Sequence, residues 1–74
     1  MKYLVIELQK FDDGTLAVPP VATFDSWFEA VSRYHSILAT AAISDVPVHS
    51  CVILTETGQE IKMDSYNKAD GQIE

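Results

Sequence analysis

The sequence predicts an α+β domain of order ββαββ: a four-stranded antiparallel sheet with one helix packed on one face. Three observations predict it. Residues 2–11 and 60–66 alternate apolar and polar side chains with the period of two that a strand imposes. Residues 26–43 instead repeat their apolar side chains at three- and four-residue steps, which is the helical period. Gly14 and Gly58 each sit in a short polar run that suits a tight reversal. One helix cannot cover two sheets, so two layers are the economical arrangement.

Each element has its own cause. In residues 2–11, Leu4, Ile6 and Leu8 point one way, and Tyr3, Val5, Glu7 and Gln9 point the other. Asp12-Asp13-Gly14 then supplies a turn, because glycine takes positive φ without steric cost. Residues 15–18 form the returning strand, and Pro19-Pro20, lacking two backbone donors, end it or confine it to an edge. Thr23-Phe24-Asp25-Ser26 opens the helix. Ser26 and Glu29 have capping-box spacing, and Asp25 is an equally good cap one residue earlier.

Trp27, Ala30, Val31, Tyr34, Ile37, Leu38, Ala41 and Ala42 gather on one helix face, with Glu29, Arg33, Ser36 and Thr40 on the other. Ala39-Thr40-Ala41-Ala42 is small enough for close approach to a sheet, and Asp45 with the pre-proline Val46 ends the helix. Residues 48–55, rich in β-branched side chains, and residues 60–66 form a second hairpin across Glu56-Thr57-Gly58-Gln59. A right-handed crossover that skips one strand gives the strand order 2-1-3-4. Residues 1–66 are then a single domain. Residues 67–74 are polar with little to bury, and are expected to form a flexible tail.

Composition narrows the function classes. At 74 residues the chain buries only about 60% of the surface that its unfolded form exposes, so its core is marginal unless a partner adds to it. A single cysteine excludes an internal disulfide and a C-x-x-C site, and a lone thiol is expected of a cytoplasmic, reducing compartment. A net charge of −6 argues against a phosphate-binding surface, and so against nucleic acid as a partner. The uncharged stretches 15–24 and 34–44 are far short of the roughly 20 apolar residues that a membrane span needs. Glu7 interrupts the apolar N-terminus, and no cleavage site of a secretory leader follows.

The two faces of the sheet differ in hydropathy. Leu4, Ile6, Leu8, Val52, Leu54, Ile61 and Met63 are the more apolar set and are expected beneath the helix. Tyr3, Val5, His49, Cys51 and Ile53 are then left on an open face ringed by Glu7, Lys62 and Asp64, and are the expected interface residues. So much open apolar surface is unusual on a small monomer. The plainer alternative is a set of partly exposed strand residues, which is common.

Candidate chemistry is sparse. His49 and Cys51 share one strand face, with roughly 7 Å between their Cα atoms, but no helix N-terminus or orienting third group stands beside them. A mid-strand cysteine reads better as a small buried hydrophobe. A metal site of His35, His49 and Cys51 needs the helix on the His49 face, against the assignment above. His35 reads as a boundary histidine, Trp27 and Phe28 as packing over the end of the sheet, and Asp12, Asp13 and Asp25 as turn and cap residues. The isolated glycines make no phosphate loop, and no basic, aromatic-studded sheet stacks RNA bases. No cofactor and no enzymatic activity are expected.

The runs Tyr3-Leu4-Val5-Ile6-Glu7-Leu8-Gln9-Lys10, Asp13-Gly14-Thr15, Glu29-Ala30-Val31-Ser32-Arg33-Tyr34-His35 and Val46-Pro47-Val48-His49-Ser50 resemble small uncharacterised prophage and mobile-element proteins of Gram-positive gut bacteria. The resemblance spans residues 3–66 and departs at Val18-Pro19-Pro20 and in the acidic tail. It implies a genomic origin and no site residues. The expected function is that of a non-enzymatic phage or mobile-element accessory protein, a homodimer through the open sheet face or a binder of a phage or host protein. The alternative, motivated by the charge of −6, is an acidic inhibitor of a host nucleic-acid enzyme.

Overall fold

A central strand, β1 (Tyr3–Lys10), organises the sheet in the computed structural model, which describes residues 1–68. Along its whole length β1 pairs antiparallel with β4 (Val48–Thr55), from Tyr3 opposite Thr55 to Lys10 opposite Val48. The far side of β4 pairs antiparallel with β5 (Glu60–Asn67). The other side of β1 is shared by two short strands, β2 (Leu16–Ala17) and β3 (Ala22–Phe24). A single helix, α1 (Trp27–Ile43), connects β3 to β4. The fold is thus α+β, with one helix and an antiparallel sheet of five strands in the order β2-β1-β4-β5, β3 also lying against β1.

The fifth strand is a departure from the four expected. Pro19-Pro20 interrupt the returning strand, as their missing donors require. The chain then resumes pairing, with Ala22 opposite Val5 and Phe24 opposite Tyr3. Residues 23 and 24, read from the sequence as the approach to the helix, are therefore strand. The register also slips: Ala17 opposes Gln9, so an unbroken ladder would have set residue 21, not 22, opposite Val5.

Both hairpins rest on a glycine at positive φ, Gly14 at 88° and Gly58 at 89°. Ser26 is the helix cap, its Oγ accepting from the Glu29 backbone N–H at 3.4 Å. Asp25, the other candidate cap, is engaged instead by the Lys2 ammonium at 2.6 Å. At the C-terminal end, the Ser44 N–H donates to the Ala41 carbonyl, and the Lys68 Nζ donates to the carbonyls of Ala41 and Ser44. A cation there opposes the negative end of the helix dipole. The Lys68 backbone N–H donates to the Pro47 carbonyl at 2.7 Å. Asn67 and Lys68 thus belong to the folded domain, and the rest of the expected tail, 69–74, lies outside the described residues.

The core corrects one expectation. The helix lies on the face that carries Val5, His49, Cys51 and Ile53, which are 2%, 3%, 1% and 0% exposed. Val5, Cys51 and Ile53 pack with Ala30, Tyr34, Ile37 and Leu38 of α1, and Tyr3, Phe24, Trp27 and Tyr66 border the cluster. The expected interface set of Tyr3, Val5, His49, Cys51 and Ile53 is therefore the floor of the core, and the more apolar set is uncovered. The cause is topological. β3 and β4 both run antiparallel to β1, so they are parallel to each other, and the helix crosses over β1 between them. Such crossovers have one hand, so strand direction selects the covered face ahead of hydropathy.

Candidate functional site

The uncovered face of the sheet is the most distinctive surface. Strand alternation gives it Leu4, Ile6 and Leu8 from β1, Val52 and Leu54 from β4, Met63 from β5 and Leu16 from β2. Cross-strand pairing sets Leu4 against Leu54, Ile6 against Val52, and Val52 against Met63, so the apolar side chains form continuous rows. Leu16, Met63 and the following Val18 are 59%, 57% and 55% exposed. Between the Val18 and Met63 rims lies a shallow cup of about 320 Å³, floored by Ile6, Leu8 and Val52. The Ser50 hydroxyl in its lining donates to the hydroxyl of Ser65 on β5 at 3.0 Å. Ile61 is set apart, because a bulge places Lys62 opposite Ile53 and Glu60 opposite Leu54 and leaves Ile61 unopposed. Strand alternation also places Ser50, Ser65, Lys10 and Glu60 on this face, the last two at its margins, so its centre is apolar and its border polar.

Leu16 and Val18 escaped the sequence reading of this face. Their spacing of two was visible, but the prolines marked the segment as a strand end.

The polar residues are concentrated on the covered face. His49 Nε2 lies 2.5 Å from Glu7 Oε2, and the same oxygen accepts from Gln9 Nε2 at 2.9 Å. Burial pushes the Glu7 carboxyl up. Hydrogen bonds from Gln9 and His49, with the positive charge of Arg33, outweigh that and hold it below its ordinary value. His49 Nδ1 is buried and has no hydrogen-bond partner among the described residues. The carboxylate accepts, so the imidazole donates its Nε2–H to Glu7. Cys51 is opposite Glu7 in the ladder. Burial, and then the Glu7 carboxylate, push its thiol up to about 11, so it stays protonated at neutral pH. A protonated, enclosed thiol beside an imidazole already committed to a carboxylate is not an activated nucleophile. Among the described residues, no group of three or more His, Cys, Asp or Glu side chains is placed to hold a metal ion.

The remaining candidates are dispersed. The His35 side chain is exposed and meets the Tyr34 ring edge to face, with centroids 5.4 Å apart. Trp27 packs against Tyr3 at the end of the sheet, again at 5.4 Å, whereas Phe28 is 81% exposed and does not join it. Lys2, Lys62 and Lys68 are engaged by Asp25, the Tyr34 ring and the helix carbonyls respectively, so they form no phosphate-binding row. Asp12 and Asp13 follow β1, whereas Glu56 follows β4, whose end lies beside the start of β1. Acidic groups therefore sit at opposite ends of the sheet. No helix among the described residues is long and apolar enough to cross a membrane. Compared with protein-family models, with curated proteins and with solved structures, the chain matches none.

Proposed function

We propose that this protein is a cytoplasmic, non-enzymatic interaction module that self-associates through the open face of its sheet, as an accessory component of a phage or mobile element. The observation that carries the reading is the continuous apolar surface of Leu4, Ile6, Leu8, Val52, Leu54 and Met63, with Leu16 and Val18 at its margin. Covering a few hundred Å² of such surface, at about 25 cal/mol per Å², is worth several kcal/mol. That is comparable to the whole stability of a domain this size. A second copy is the occupant that needs no further assumption, because a twofold stacks the same face on itself. The acidic-inhibitor alternative gains nothing from the placement of Asp12 and Asp13 at one end of the sheet and Glu56 at the other. The genomic setting rests on the resemblance alone and has no part in the physical argument.

Light scattering on a sizing column at low and high concentration tests the reading. The expected mass is twice the 8.2 kDa of one chain or more. Leu8→Glu or Val52→Lys, placed on the open face, should remove this contact and lower the mass while circular dichroism shows the fold retained. A wild-type mass of 8.2 kDa at high concentration, or variants that keep the wild-type mass, overturns it.

A further inference from the structure

The two edges of the sheet are finished differently. One edge consists of strands of two and three residues separated by Pro19-Pro20. Short, proline-broken strands are a standard protection against edge pairing. The other edge, β5, is eight residues long and contains no proline, and among the described residues nothing pairs with its outer side. Glu60 to Asp64 are all exposed.

We propose that β5 adds to the same strand of a second copy, antiparallel about a twofold axis at Met63. In that register Lys62 faces Asp64 of the second copy and Asp64 faces Lys62 of the second copy, two opposite-charge pairs from a single symmetric contact. Met63 faces itself. Shifting the axis by one residue to Asp64 would set two carboxylates against each other, so charge selects the register. Lys62 and Asp64 lie opposite Ile53 and Cys51, on the helix side of the sheet. There a groove of about 400 Å³ between α1 and β5, lined by Tyr34, His35, Leu38 and Tyr66, leaves room for the incoming side chains. The Lys62 ammonium is held 6.0 Å from the Tyr34 ring centroid, at the wall of this groove. The bulge at Ile61 and the lysine itself blunt the edge toward unrelated strands. The contact is therefore selective for its own sequence, short and concentration-dependent. It is independent of the open-face reading, because it uses the backbone edge and the opposite side of the sheet.

Disulfide trapping tests it. Lys62→Cys protein is mixed with Asp64→Cys protein under mild oxidation, leaving Cys51 buried and intact. Opposed residues of an antiparallel pair have Cα atoms about 4.5–5.5 Å apart, within disulfide reach. A mixed disulfide is expected that neither protein forms alone, since each alone sets its cysteine opposite the unchanged Asp64 or Lys62 of the second copy. An open-face dimer keeps these positions on outer surfaces and forms no such bond. No mixed disulfide, or equal bonding by either protein alone, overturns the proposal and leaves the open-face reading standing. In a second measurement, Lys62→Asp should weaken concentration-dependent association about tenfold or more, and Lys62→Asp/Asp64→Lys should restore it. Equal weakening by the single and double variants overturns the register.

Discussion

Glu7 Oε2 and His49 Nε2 meet 2.5 Å apart beneath the helix, although 42 positions separate them in the chain. This contact lets a glutamate, a glutamine and a histidine occupy the covered face of a sheet whose other face is aliphatic. Each of them loses water there, and each recovers a hydrogen bond.

The pair gives stability a direction in pH. The fold holds the Glu7 carboxyl below its ordinary value, the hydrogen bonds from Gln9 and His49 outweighing burial. A lowered carboxylate stabilises the fold fully above its unfolded value, and that contribution is lost as pH falls through the folded one. Urea midpoints of the wild type should therefore drop as pH falls from about 5 toward 3. Glu7→Gln should be less stable at pH 7 and should lose less over that window. Parallel curves for the two proteins would remove Glu7 from the acid transition.

Cys51 reports whether the core opens. With its thiol raised to about 11 and its side chain enclosed, alkylation by iodoacetamide at pH 8 should be at least about a hundredfold slower in the native protein than in urea. A native rate within a few-fold of the unfolded rate would show that the helix does not cover this position.

Neighbouring residues on β4 separate the two faces. Ile53 is fully buried and Val52 only partly so. Ile53→Ala should cost about 2–5 kcal/mol in urea unfolding through the cavity beneath α1. Val52→Ala, measured at a concentration where the protein is monomeric, should cost about 1 kcal/mol or less. The reverse ranking would put the helix on the other face.

Lys68 fastens the end of β5 to the end of the helix through the carbonyls of Ala41 and Ser44. Lys68→Ala should cost about 1 kcal/mol, and Lys68→Arg should recover part of it. A chain ending at residue 66 should be less stable than one ending at residue 68, because it loses the Lys68 contacts and the last strand residue together. Circular dichroism melts of the four proteins decide this.

The residues by themselves determined the local structure. Ser26 with Glu29 marked the start of the helix, Val46 before Pro47 bounded its end, and Asp13-Gly14 and Thr57-Gly58 placed the turns, because caps, prolines and positive-φ glycines act within a few residues. The alternation of Leu4, Ile6 and Leu8 against Tyr3, Val5 and Glu7 also divided the central strand into its two faces, and the strand path through the sheet followed from the element order. Tertiary structure alone decided which face the helix would cover. Hydropathy marked Glu7 and His49 as solvent-facing, but their satisfaction by each other and by Gln9 depends on a contact between strands that no local pattern encodes. The hand of the crossover from β3 to β4 then laid Ala30 and Tyr34 over Val5 and Ile53, leaving the aliphatic rows of Ile6 and Val52 open.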